Sequence, residues 1–202
     1  MNSLRKEFTT TTLVLIPVAI AINIAIGHTI YTLKLPFYLD SIGTILVGVL
    51  VGPWAGALTG LLSNLIWGFT GLNPIYAPFA AVAAIIGILA GLAGEAGWVK
   101  SWWKAILTGL VVGLISAAVS APISAYVFGG VTGSGNDALV AMFQSFGASV
   151  LPASFAQGAL TDPVDKAISF LLVWLIITAL PMRFRARFPQ GQAAPTDAKA
   201  RR

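Results

Sequence analysis

Six side chains at the edges of long apolar runs carry groups able to recognise a small molecule: Asn64, Trp67, Asn73, Tyr76, Asn136 and Asp137. Aromatic faces supply stacking area, while amides and a carboxylate select the donor and acceptor pattern of a bound ring. This combination points to capture of a small planar heterocycle. Polar groups at membrane depth are costly to keep and mark functional sites, although Trp and Tyr at a bilayer boundary also serve as interfacial anchors. Asp162, Asp165 and Lys166 bracket Pro163. They are expected to start a helix there, as caps and a local ion pair, with ligand contact as their second reading. His28 is expected to be a buried, hydrogen-bonded side chain, because no second His or Cys stands at metal-ligand spacing.

Chemistry beyond binding finds little to work with. The chain has no Cys, so thiol nucleophiles, thiolate metal sites and disulfides are excluded. No HExxH string or Ser/His arrangement occurs, and GGVTGSG from Gly129 has neither a strand before it nor a Lys after it. Its glycines are read as permitting a tight turn beside a ligand. No enzyme activity, cofactor, metal or nucleic-acid partner is expected.

The elements that must position these residues are set by charge. The 202 residues include only 12 Lys and Arg and 7 Asp and Glu, and the stretches 8–33, 41–94, 105–136, 138–161 and 167–182 contain none of these four types. Apolar runs of about 20 residues match a hydrocarbon core of roughly 30 Å, and a backbone without water must satisfy its own hydrogen bonds as helix. The predicted fold class is therefore all-α, a polytopic membrane helix bundle of six transmembrane helices. The spans are expected at 10–33, 38–51, 54–67, 78–95, 103–128 and 164–180. Gly52-Pro53 is read as the turn of a tight helical hairpin. A single kinked span over 39–67 would instead cover about 43 Å at helical rise, too much for the core without extreme tilt. The connection 129–161 is apolar for a loop and is expected to include a helix or re-entrant piece packed on the bundle.

Cytoplasmic ends retain Lys and Arg. With both termini cytoplasmic, Arg5, Lys6, Lys100, Lys104, Arg183, Arg185 and Arg187 lie inside, and only Lys34 and Lys166 lie outside. The opening MNSLRKEF predicts a retained first span rather than a signal peptide. Residues 1–182 are expected to form the membrane-embedded domain and 183–202 a basic, disordered cytoplasmic tail.

Small residues recur every fourth position. Gly56, Gly60, Asn64 and Gly68 line one stripe of the third span; Gly109, Gly113, Ala117, Ala121 and Ala125 line another on the fifth, with Ser116, Ser120 and Ser124 beside it. Residues four apart share a helix face, where small side chains let backbones approach closely. Packing inside the bundle is the expected role. The first span carries a similar AxxxA pair, Ala21 and Ala25, continued by Thr29.

Three strings are more specific: LPFYLDSIGTILVGVLVGPWAGALTGLLSNLIWG at 35–68, FGGVTGSGND from Phe128 and TDPVDKAISFLLVWLI from Thr161. Together they resemble the substrate-binding S component of an energy-coupling factor (ECF) transporter, and the resemblance extends to about Pro181. It implies a six-helix subunit of a prokaryotic cell membrane that captures a water-soluble vitamin or related micronutrient, with a pyrimidine- or flavin-like heterocycle as the substrate expected. It also implies docking through Ala21 and Ala25 onto a membrane-embedded T component driven by two ABC-type ATPases. The chain has no P-loop string of its own, so energy must come from a partner or a gradient. A membrane sensor related to the transmembrane input domains of histidine kinases is the alternative; against it, no output domain is read in the residues after Pro181. An intramembrane enzyme is the third reading, and it lacks paired reactive groups at mid-membrane.

Overall fold

The computed structural model describes residues 6–191, and these are helical with no strand among them. The helices are α1 (Thr10–Thr32), α2 (Ile42–Val51), α3 (Pro53–Phe69), a 3₁₀ segment (Pro74–Phe79) running into α4 (Ala80–Glu95), α5 (Trp102–Phe128), α6 (Asp137–Ser145), α7 (Val150–Ala179) and the short α8 (Met182–Arg185). Among the described residues, three segments are long and apolar enough to cross a bilayer: Thr10–Thr32, Pro74–Glu95 and Trp102–Phe128. Large apolar side chains such as Val14, Val18, Leu107, Val111, Leu114 and Leu175 remain exposed on the outside of the bundle. Such a surface suits lipid and not water.

The second helix is the centre of the molecule. Every residue of α2 is buried, and it touches α1, α3, α4 and α7. Only Gly52 separates it from α3, whose first residue is Pro53. The expected hairpin is therefore present. Glu7 closes it from outside: its Oε2 accepts hydrogen bonds from the Trp54 and Ala55 amides at 2.9 and 2.8 Å, two donors that a helix start leaves unpaired. Asn23 ties three helices together at mid-bundle. It donates to Thr44 Oγ1 at 2.8 Å and Ser63 Oγ at 2.9 Å, and accepts from the Gly43 amide at 2.7 Å.

The stripes of small residues pack as expected. A Cβ on Gly56 would fall 2.6 Å from the Gly87 carbonyl oxygen, and one on Gly60 would meet the Ala83 carbonyl. A Cβ on Gly109 or Gly113 would strike the backbone of α7 around Lys166 and Asp162. Helices α5 and α7 thus run in near backbone contact.

Two boundaries differ from expectation. The second span was expected from residue 38, but residues 35–41 are irregular and α2 begins at Ile42. At ten residues it spans only about 15 Å. The sixth span was expected from residue 164, yet α7 runs for 30 residues from Val150, straight through Pro163. Proline costs a helix one amide donor and crowds the preceding turn, but inside a membrane bundle neighbouring groups absorb that disruption. Here Gly113 of α5 packs directly on the α7 backbone at Asp162 and Pro163. As a result Asp162, Asp165 and Lys166 are interior groups of a long helix and not caps at its edge. Lys166 is thus a buried group and not a membrane-flanking charge of the kind that an orientation count rests on.

The tail expected from Arg183 begins ordered. Helix α8 follows Pro181, Arg185 and Phe188 are buried, and the Gln190 amide donates to the Leu50 carbonyl at 2.9 Å. Positions 192–202, like Arg5, lie outside the described residues. Helix α6 supplies the piece expected within 129–161; it packs against α7 and buries Val140.

Candidate functional site

A cavity opens where the irregular 35–41 segment meets α3, the 3₁₀ segment, α5 and α7. Its wall draws on Tyr31 of α1, Tyr38, Asp40 and Ser41 of the irregular segment, Asn64 of α3 and Tyr76 of the 3₁₀ segment. Helix α5 adds Ser116, Ser120 and Ser124; α7 adds Ser154, Gln157, Asp162 and Lys166; Thr132, Ser134 and Asp137 close one side. Apolar surface comes from Ile75, Phe79, Val82, Ala83 and Ile86. Irregular backbone survives at membrane depth only where it lines a cavity or is buried in protein. The shortness of α2 thus makes this space.

Asp165 builds the irregular segment. Its Oδ1 accepts from the Tyr38 and Leu39 amides, each at 2.9 Å, and its Oδ2 lies 2.5 Å from Lys166 Nζ. Leu39 is held in the left-handed region at φ 48°, a conformation that a residue with a side chain adopts only when its surroundings impose it. Lys166 in turn donates to Ser41 Oγ at 2.9 Å and pairs with Asp40 Oδ1 at 3.5 Å. One carboxylate and one ammonium on α7 therefore present Tyr38 and Asp40 to the cavity.

A second assembly covers the opposite rim. Asp137 gathers the glycine-rich turn: its oxygens accept from the Thr132 amide at 3.0 Å, Thr132 Oγ1 at 2.9 Å and the Gly133 amide at 2.7 Å. Lys34 Nζ donates to the Gly133 carbonyl, and Gly135 abuts the Lys34 carbonyl so closely that a Cβ would collide with it. The two loops over the cavity are thereby joined. Gly129, Gly130 and Gly133 all have positive φ, so these glycines do permit a tight turn, as expected.

Of the six residues singled out from the sequence, Asn64, Tyr76 and Asp137 stand in the cavity wall. Trp67 lies behind, fully buried and stacked on Tyr76 with ring centroids 3.5 Å apart and planes 13° from parallel. It backs the aromatic wall rather than forming it. Asn73 caps the 3₁₀ segment, its Oδ1 accepting from the Ile75 amide at 3.3 Å. Asn136 is buried next to Tyr38 and outside the lining. His28, expected to be buried and hydrogen-bonded, is half-buried and edge-on to Trp67 at 6.3 Å, and its Nδ1 has no hydrogen-bond partner among the described residues. Ala21, Ala25 and Thr29 share an exposed face of α1, directed away from Asn23 and the bundle.

Sequence reasoning missed Tyr38, Asp40, Ser154 and Gln157, and it placed the α5 serines in packing only. Asp40 carried a usable signal: it is the last charge before the uncharged stretch 41–94, and charge next to a membrane run is a functional marker. Ser116, Ser120 and Ser124 follow one another at four-residue spacing, which sets them on one helix face. Nothing in the spacing alone says that this face meets a cavity.

A lipid-facing helix bundle that encloses a cavity of aromatic, hydroxyl, amide and carboxylate groups is a membrane protein built around a small-molecule site. The model of the ECF transporter substrate-specific component matches residues 11–184 of this chain. The chain belongs to that family, whose members are substrate-specific membrane subunits of transporters and not enzymes. Comparison with curated proteins and with solved structures found no match.

Proposed function

We propose that this chain is the high-affinity capture subunit for a small, ring-containing, water-soluble compound of the vitamin or micronutrient kind. The proposal includes import with a T component and two ABC-type ATPases. The observation that carries it is the cavity itself: three of the four tyrosines of the chain, Tyr31, Tyr38 and Tyr76, face one space together with Asn64, Gln157 and the α5 serines. Flat aromatic faces hold a ring and the amides choose among its polar edges. Asn64, Tyr76 and Asp137 are assigned contact or rim roles; Trp67, Asn73 and Asn136 support that wall from behind.

The proposed topology is six membrane crossings with both termini cytoplasmic in a prokaryotic cell membrane. It is supported by the gathering of Lys100 and Lys104 with Trp98, Trp102 and Trp103 at one end, where Lys104 Nζ lies 5.4 Å from the Trp103 ring. Basic and aromatic residues together mark a cytoplasmic interface. Residues 183–191 dock on this end, and 192–202 are assigned to a basic tail. On this reading Ala21 and Ala25 are the surface for the T component, because they are exposed, small and continuous with Thr29. Mass spectrometry of small molecules released from the detergent-purified chain tests the capture role. One ring compound in near-stoichiometric amount is expected from the wild type and its loss from Asn64→Ala. Absence of any retained compound, together with no stabilisation by a vitamin panel, contradicts it.

A further inference from the structure

The charges around the cavity do not balance. Among the described residues, Asp40, Asp162 and Asp165 gather around one buried cation, Lys166, and all of these but Asp40 are at least nine-tenths buried. Lys166 is fully committed, since its ammonium serves Asp165, Asp40 and Ser41. Asp165 is closed as well, with one oxygen on two backbone amides and the other on Lys166. Asp162 is different: 6% exposed and part of the cavity lining, it accepts only from Thr161 Oγ1, at 3.3 Å, and pairs with no cation among the described residues. A buried carboxylate without a counter-charge is expensive, and the more so away from water.

Two further groups point into the same space. Ser116 and Ser154 are each 2% exposed, line the cavity and have no partner for their hydroxyl oxygen among the described residues. Native proteins seldom leave such atoms unpaired unless something else supplies the bond. They stand on α5 and α7, the two helices in near backbone contact. Tyr31, Tyr38 and Tyr76 line the same cavity, and tyrosine ring faces attract cations through the ring quadrupole, as Lys34 Nζ shows 4.7 Å from the Tyr31 ring.

We propose that the cavity takes a nitrogen cation, an amidinium or protonated amine carried on or beside a flat ring, with the Asp162 carboxylate as its counter-ion and Ser116 and Ser154 as hydrogen-bond partners. This rests on the reading of the cavity as the substrate site and adds the charge of the substrate. An anionic ligand would meet the carboxylates of Asp40 and Asp162 in the same wall, and Lys166 is already engaged by Asp165, Asp40 and Ser41. A neutral ring would bring Asp162 no counter-charge and leave protonation as its way to shed the buried charge.

Three isosteric probes separate these cases in calorimetric titrations of the full-length detergent-solubilised chain at pH 7: benzamidine as cation, benzamide as neutral ring and benzoate as anion. The expected result is saturable benzamidine binding at least tenfold tighter than benzamide, with none for benzoate. Asp162→Asn, which keeps the shape, should erase that preference. Ser116→Ala serves as an independent variant in case Asp162→Asn fails to fold, and should weaken benzamidine several-fold. Benzamide equal to benzamidine, a preference for benzoate, no saturable benzamidine binding, or a preference that survives in Asp162→Asn each overturns the proposal. The capture reading is judged separately by the compound released from the wild-type protein. An uncharged or anionic compound there would sink the charge assignment and keep the site; no compound at all, with no response to the vitamin panel, would remove the site.

Discussion

Two buried polar residues on this chain should respond to mutation in opposite ways. Asn64 lines the cavity, so Asn64→Ala is expected to weaken binding of the co-purified compound about tenfold, worth roughly 1.4 kcal/mol, with a nearly unchanged melting temperature. Asp165 holds the Tyr38 and Leu39 amides and Lys166. Its replacement by Asn leaves a buried ammonium without its closest counter-charge, and breaking a buried pair this way costs about 3–5 kcal/mol. Thermal unfolding in detergent should show a clear loss for Asp165→Asn and little for Asn64→Ala. Equal losses would make Asn64 a packing residue. The difference between these two was only partly legible in the sequence. Asn64 could be placed on the correct helix face by four-residue spacing, whereas the role of Asp165 depends on an irregular segment 126 residues away. No local pattern announces such a long-range partnership. The same limit explains Asp162 and Lys166: Pro163 is a strong local stop signal, yet α7 continues through it where the α5 backbone packs closely at Gly113.

Helices here are held at two kinds of face. Inward faces bring backbones together through glycine, and Gly43→Ala is a sharp test, since its Cβ would land on the Ala19 carbonyl of α1. Overpacking of this kind costs about 1–3 kcal/mol and should also disturb the Asn23 link to the Gly43 amide. A lowered melting temperature is expected; an unchanged one would mean that α1 and α2 are looser than described. The outward face of α1 behaves differently. Ala21→Leu or Ala25→Leu meets no bundle neighbour, because both residues are exposed, so folding and ligand affinity should be retained while co-purification with the T component falls. Retained association would remove the docking role, and loss of folding would show the stripe to be internal. Periodicity identified both faces, since the four-residue recurrence of small residues is visible in the sequence. It could not say which stripe looks inward, because glycine and alanine suit a helix neighbour and a partner equally.

At the scale of the whole molecule, the aromatic and basic end that carries Lys100 and Lys104 should face the cytoplasm. The absence of Cys makes single-cysteine labelling clean. Lys100→Cys, at an exposed position, should resist an impermeant thiol reagent in intact cells, and Leu72→Cys, exposed in the loop before the 3₁₀ segment, should react. The reverse pattern would invert the topology. The all-helical class and its membrane setting were readable from charge distribution alone; the helix lengths were not, because the ten-residue α2 and the 30-residue α7 depart from a uniform span in opposite directions. Capture and energy supply are separate tasks on this account, which gives the most direct test. Cells expressing this chain alone, or with a T component and the two ATPases, would be given the isotope-labelled form of the compound that co-purifies with it. Saturable binding in both and accumulation above the external concentration only with the full set is the predicted result. Concentrative uptake by the chain alone, or accumulation by the full set undiminished when this chain is omitted, would contradict it.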